Sequence, residues 1–247
     1  MLSIFQKKEF LIDHLSGITD IHNHILPGID DGAANVNETI GLLEKFNNHG
    51  INKFIATPHV MNDYYPNTPD SINAALDTVK ESLLSKSDLA DSQISVGAEY
   101  MMDQSFLDLL EKGELLTLKD NLVLVEMSYF QAPINLNEIL FTLQTKGYKP
   151  VLAHPERYAY FHNKDLRKYE DLKSRGCHFQ VNALSLSSHY GTSMQQIAYK
   201  LIEQGMIDFI GSDTHRIQHI EKLSSIQLKK KQLLAISKIV EKTKETF

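Results

Sequence analysis

The run Asp20-Ile-His22-Asn-His24-Ile-Leu-Pro27-Gly-Ile-Asp30-Asp31-Gly32 carries two imidazoles and two adjacent carboxylates in one short stretch. His22 and His24 are two apart, so in a β-strand both rings leave the same face. Pro27 and Gly28 then turn the chain and bring up the aspartates. Imidazole and carboxylate converging at the end of a strand form the donor set of a metal site. Taken alone, the same residues also suit half-buried polar positions on a strand followed by an ordinary Asp-Asp-Gly turn. The rest of the chain decides between the two readings.

Metal-capable side chains recur where the later apolar runs end. His59 follows Thr57-Pro58, Glu99 follows Gly97-Ala98, Glu126 ends an apolar stretch, His154 follows Ala153, and Asp213 is two residues ahead of His215. Chance does not put such a residue at the end of six separate runs. Imidazole and carboxylate without sulfur suit Mn, Zn or Fe and leave the metal itself open. The candidates, His22, His24, Asp31, His59, Glu99, Glu126, His154, Asp213 and His215, are too many for one ion; Asp30 competes with Asp31 for the same role. Two or three divalent ions sharing a bridging carboxylate is the economical arrangement. Such clusters hydrolyse phosphate esters by activating water and stabilising the oxygens of the displacement. Arg157 and Arg216 stand beside candidate ligands, and guanidinium suits phosphate oxygens. Tyr64, Tyr65, Tyr129, Phe130, Tyr158 and Tyr160 also follow apolar runs, where they either wall a pocket or pack.

The elements that must position these groups read as a repeated strand–helix unit. Strands are predicted over residues 18–25, 51–57, 93–99, 121–126, 149–154, 178–182 and 207–213, with helices between them. Asn35 with Glu38, Thr68-Pro69, Asp103 and Asn135 with Glu138 mark helix starts; Gly50, Gly113, Gly147, Gly176 and Gly205 follow helix ends. One helix is expected over 163–174, another over 192–203, and a last helical stretch from Ile217 with one break. Seven strands alternating with seven helices imply a parallel α/β sheet, closed into a barrel or open and doubly wound. In a barrel all seven strand ends open on one face, where such folds place their sites. Only the sixth strand lacks a metal-capable end.

Composition bounds the function. The 247 residues are 42% hydrophobic and 23% charged, those of an ordinary globular protein, and suit one domain over 18–247 behind an extension of residues 1–17. A net charge of −6, with no basic stripe beyond Lys229-Lys230-Lys231, argues against nucleic acid as the main partner. The single cysteine, Cys177, rules out an intrachain disulfide and a thiolate cluster. Charges interrupt the apolar residues at the start, and no later run approaches a membrane span, so a cytoplasmic location is the expectation.

Taken as an ordered set, Asp20-Ile-His22-Asn-His24 with Asp30-Asp31-Gly32, Thr57-Pro-His59, Gly97-Ala-Glu99, Glu126-Met-Ser, Ala153-His-Pro-Glu-Arg157 and Gly211-Ser-Asp-Thr-His215 resemble the polymerase and histidinol phosphatase (PHP) family. Within it they most resemble the bacterial manganese-dependent protein-tyrosine phosphatases of capsule and exopolysaccharide operons, the CpsB/CapC type. The resemblance implies a distorted seven-stranded βα barrel with a trinuclear centre. One metal would sit on His22, His24, Glu99 and Asp213, a second on Glu99, Glu126 and His154, and a third on Asp31, His59 and His215. Arg157 would meet the substrate phosphate; Arg216 is closer to the last histidine than the second arginine of the family.

The implied reaction is hydrolysis of phosphotyrosine by water activated at the metals, with no phosphoenzyme. The implied substrate is a phosphotyrosine protein, the tail of a bacterial tyrosine autokinase. Cysteine-based chemistry is excluded, because Cys177 has Ala183, not arginine, six places on. Two rival readings are a small-molecule phosphatase of the histidinol-phosphate type or another phosphoesterase, and a metal-stabilised module without turnover. Oligomeric state is not legible.

Overall fold

A computed structural model describes residues 8–163 and 165–247. Phe209–Gly211, His178–Asn182, Lys149–Ala153, Leu122–Glu126, Glu99–Met101 and His59–Val60 form a six-stranded sheet in that order, every pair parallel. Thr19–Asp20, Lys53–Ala56 and Gln93–Val96 form a parallel three-stranded sheet. The strand expected over 51–57 ends at Ala56 and, past Thr57-Pro58, the chain resumes as His59–Val60, while the strand expected to run unbroken over 93–99 is interrupted at Gly97-Ala98 and resumes as Glu99–Met101. Pro58 has no N–H for the ladder. Each run gives its lower half to the small sheet and its upper half to the large one. Main-chain bonds cross the breaks, Gly97 N to Ala56 O at 2.9 Å and Glu99 N to Pro58 O at 3.0 Å.

The ring closes where the first strand meets the last. Asn23 and Thr214 form a parallel bridge, Asp213 N donates to His22 O at 2.7 Å, and His24 N donates to Thr214 O at 2.9 Å. Asp20 clasps the same seam, accepting from Ser212 N at 2.9 Å and Ser212 Oγ at 2.6 Å. The structure therefore chooses the barrel over the open sheet.

Period-two alternation sorts the apolar residues into two clusters. Leu122 and Leu124 point inward with Ile21, Ile55, Val151, Ala153 and Phe209, while Val123 and Val125 face the surrounding helices. Glu126 continues the inward row above Leu124, and so ends in the barrel mouth.

Helix starts agree with the sequence at Asn35, Thr68 and Asp103, whose side chains accept from Glu38 N, Ser71 N and Phe106 N. Asn135 makes no such bond. The predicted 163–174 helix begins only at Arg167. The break in the last helical stretch falls between Ile217–Ser225 and Lys230–Thr246, where Gln227–Leu228 pairs antiparallel with Glu9–Phe10. Of the expected N-terminal extension, residues 1–7 lie outside the described residues. The short helix Leu11–His14 is seated on the core, with Leu11, Ile12 and Leu15 buried. Among the described residues no helix is long and apolar enough to cross a membrane.

Candidate metal centre

The nine predicted donors meet at one end of the barrel in overlapping groups whose ligand atoms lie within 4.8 Å of one another. The groups are His24, Asp31, His59 and His215; His22, His154 and Asp213; His22, His24 and Glu99; and His59, Glu99 and Glu126. Asp31 stands with His59 and His215, as the resemblance implied. The second implied set appears in part: Glu126 stands with Glu99 and His59, while His154 groups with His22 and Asp213. His154 Nε2 is nevertheless 3.1 Å from Glu99 Oε1.

Glu99 is the hub. Its carboxylate, fully buried, lies 3.1 Å from His22 Nε2, 3.4 Å from His24 Nε2 and 3.2 Å from His59 Nδ1. These contacts lack hydrogen-bond geometry: His22 Nε2, His24 Nε2, His59 Nδ1, Glu99 Oε2 and Glu126 Oε1 are all buried without a hydrogen-bond partner. A buried polar atom left unbonded costs about 1–3 kcal/mol, so five at one point call for a partner. Donors about 2.0–2.2 Å from a shared ion stand roughly 3–3.5 Å from one another. The observed spacings fit divalent ions.

Three of the imidazoles are held through their other nitrogen. His22 Nδ1 donates to Gln180 Oε1 at 2.8 Å, and His24 Nδ1 donates to Asp30 Oδ2 at 2.7 Å. His215 Nδ1 donates to Asp213 O at 2.9 Å. Such bonds select the tautomer that leaves the other nitrogen's lone pair free for a metal. They also separate the two aspartates. Asp30 orients His24 and accepts from His59 N at 3.2 Å, whereas Asp31 Oδ1 faces His59 Nε2 at 3.5 Å and His215 Nε2 at 3.4 Å. The turn that carries them needs glycine at 32, where a Cβ would lie 2.0 Å from His24 O.

The sixth strand, empty by sequence, supplies this support. Asn182 Nδ2 donates to Asp213 Oδ2 at 2.7 Å and to Tyr190 Oη at 3.1 Å. Gln180 and Asn182 are two apart on a strand, the same spacing as His22 and His24, and that was the available signal. Two of the ligand candidates also hold unusual backbone: His154 has φ 35° and Asp213 φ 51°. Non-glycine residues there are strained, and such strain gathers at functional sites.

Charge in the cluster is mutually arranged. Burial opposes ionisation of Glu99, yet His22 and His59 hold its carboxyl well below the usual range. Burial and the neighbouring Glu99 push Glu126 up. Burial works against a charge on His59, but Glu99 and Glu126 raise it to about 9. His154 falls to about 4 through burial and the nearby Arg157.

Arg157 Nη1 donates to Asp213 Oδ2 at 2.6 Å, and its guanidinium lies between the rings of Tyr129 and Tyr190, 4.8 and 4.2 Å from their centroids. It borders an open cavity of about 750 Å³ whose floor includes Asp31, His59, Glu99, Glu126, His154, Asp213 and His215. Tyr65, stacked on His59 at 5.5 Å, and Tyr129 form its aromatic walls. Arg216 is not brought there: it is exposed at the start of the Ile217–Ser225 helix and does not line the cavity. The expected second phosphate arginine is therefore not among the residues brought to the cavity, because Arg216 lies in extended backbone just ahead of that helix. Tyr158 is core, its hydroxyl donating to Ala153 O and accepting from Met127 N. Cys177 is buried, its thiol pushed up to about 12 by burial.

Comparison with known proteins agrees with this geometry. Tyrosine-protein phosphatase YwqE of Bacillus subtilis is 32% identical over 209 residues, covering 81% of this chain and 78% of that one. Tyrosine-protein phosphatase CpsB of Streptococcus pneumoniae is 28% identical over 204 residues, covering 80% and 83%. A crystal structure from the pair YwqE of B. subtilis and CpsB of S. pneumoniae, described as unique metal-dependent tyrosine phosphatases, superposes with a TM-score of 0.76 at 30% identity, covering 90% of this chain and 87% of that one. The profile for capsular polysaccharide synthesis proteins of the CpsB/CapC type spans residues 18–237, from just ahead of the first strand to well past His215, and the chain belongs to that family.

Proposed function

We propose that the protein is a metal-dependent phosphomonoesterase acting on phosphotyrosine in proteins, with its ions on His22, His24, Asp31, His59, Glu99, Glu126, His154, Asp213 and His215. The observation that carries this reading is the convergence of buried, unbonded donor atoms beneath an open cavity beside a stacked arginine. Two or three divalent ions bound there, manganese before zinc or iron, would supply Lewis acidity and a water acidified for attack on phosphorus.

The chain's own residues do the rest. Asp31, Glu99, Glu126 and Asp213 offset the charge of the ions, and Asp30 and Gln180 keep two imidazoles in their binding tautomer. Arg157, held by Asp213 and the two tyrosine rings, keeps donors for a phosphate oxygen at the cavity edge. Tyr65 and Tyr129 offer faces to an aryl ring. No cysteine thiolate takes part, because Cys177 is buried in the core.

The family's place in capsular polysaccharide synthesis supports a substrate in that process, and we take it to be the tyrosine-phosphorylated tail of a bacterial autokinase, met in the cytoplasm. The test strips the metals, reloads with Mn²⁺, Zn²⁺ or Fe²⁺, and follows metal content together with turnover of p-nitrophenyl phosphate, histidinol phosphate and matched phosphotyrosine and phosphoserine peptides. Mn²⁺-dependent release of phosphate from the phosphotyrosine peptide is expected. A loaded protein that hydrolyses only histidinol phosphate, or nothing, overturns the reading.

A further inference from the structure

We infer that the cavity mouth is a docking surface for the polypeptide on either side of the phosphotyrosine, and that it selects apolar neighbours over acidic ones. The inference rests on the phosphatase reading above. Among the described residues seven large apolar or aromatic side chains are exposed, and four of them, Tyr64, Tyr129, Phe130 and Ile134, stand on the two loops flanking the cavity. Phe130 is 93% and Ile134 100% exposed. Exposed apolar side chains gathered at one place mark an interaction surface.

Both loops are pinned at their feet, so the exposure is a presented surface. Asn67 Nδ2 donates to Ile29 O at 2.8 Å and to His59 O at 2.9 Å, tying down the first loop. Tyr160 Oη donates to Ser128 O at 2.9 Å, and Met127 N donates to Tyr158 Oη at 3.0 Å, anchoring the second. Tyr64 and Tyr65 divide their roles: Tyr65 stacks on His59, while Tyr64 stays 74% exposed.

The occupant follows from continuity and charge. Tyr64, Tyr129 and Phe130 line the cavity that takes the phosphotyrosine, Ile134 follows its lining residue Pro133, and at about 750 Å³ the cavity is near the large end of small-ligand sites, leaving room for neighbouring residues. Neither 59–67 nor 127–135 contains a lysine or arginine, and Asp63 and Asp103 border the mouth. An acidic neighbour of the phosphotyrosine meets carboxylates there, and an apolar one meets Phe130 and Ile134.

The experiment compares the metal-loaded enzyme on three phosphotyrosine peptides identical except for leucine, serine or glutamate at the positions beside the phosphotyrosine, with p-nitrophenyl phosphate as the reference. The leucine peptide is expected to exceed the glutamate peptide by about tenfold in kcat/KM. Phe130→Ser with Ile134→Ser should remove the advantage of leucine over serine and leave p-nitrophenyl phosphate turnover within about twofold; circular dichroism checks the fold. Equal rates on all three peptides overturn the inference and leave the phosphatase reading standing. Turnover of p-nitrophenyl phosphate with none on any peptide overturns both. If the double variant instead dissociates an oligomer and keeps the peptide ranking, the surface joins copies of the chain and the inference is wrong.

Discussion

Glu99→Gln is the sharpest probe of the centre, because it keeps the side chain's shape and removes one charge from the point where four imidazoles meet. His22, His24, His59 and His154 each place a ring nitrogen 3.1–3.4 Å from its oxygens. Stripping one member from a buried charged set costs about 3–5 kcal/mol. At about 1.36 kcal/mol per tenfold, that is roughly 10²- to 10⁴-fold in ion affinity or in kcat/KM. The metal-free variant should still fold, since His22 and His59 owe their raised proton affinity partly to Glu99 and can become neutral without it. Metal content after gel filtration and steady-state hydrolysis of p-nitrophenyl phosphate are the assays. Glu111→Gln, which removes an exposed carboxylate paired with Lys146, is the control and should change neither. A Glu99→Gln protein with its full metal complement and kcat/KM within about tenfold of the parent would falsify the assignment of Glu99 as the hub.

Asn182→Ala removes the bonds to Asp213 and Tyr190 that keep Arg157 in place; kcat/KM on an aryl phosphate should fall about tenfold, from a loss of ~1.5 kcal/mol, with metal content unchanged. A matching loss of metal would assign Asn182 to the ions instead. Gly32→Ala forces a Cβ to within 2.0 Å of His24 O, so both metal binding and melting temperature should drop, and an unperturbed variant would show that the turn has room to relax. Away from the site, Asp208 accepts from Lys173, from Lys242 at 2.6 Å and from Phe179 N at 2.9 Å. Burial opposes its charge, but these bonds and His178 hold its carboxyl below the usual range. Its stabilisation is thus present above the unfolded value near ~3.9 and lost as the pH falls toward the lower folded value. Asp208→Asn should cost about 1–3 kcal/mol at neutral pH by denaturant unfolding, and the gap to the parent should narrow in acid; a gap that widens there would contradict the linkage.

Local pattern carried a large share of the architecture. Helix ends at Gly50, Gly113, Gly147, Gly176 and Gly205 were readable because the turn after each helix needs positive φ, and all five have it. The ring closure at Asn23 and Thr214, the resumption of pairing at His59 and the break at Gly97-Ala98 were not, because hydrogen bonding between strands far apart in sequence creates them. The role of the sixth strand is illegible in the sequence for a related reason. Gln180 and Asn182 hold no metal-capable group and matter only through Asp213, at the end of the neighbouring strand, and His22, on the segment beyond it.

By itself, the sequence determined the donor types, their order and their place just past the apolar runs, since two-residue spacing and turn residues act within a few positions of the chain. It could not choose between Asp30 and Asp31, keep Arg216 out of the cavity, stack Arg157 between Tyr129 and Tyr190, or leave Phe130 and Ile134 uncovered at the mouth. Those outcomes depend on which side chains approach from other strands and loops, and that is decided only when the barrel closes and each buried polar atom finds, or fails to find, a partner.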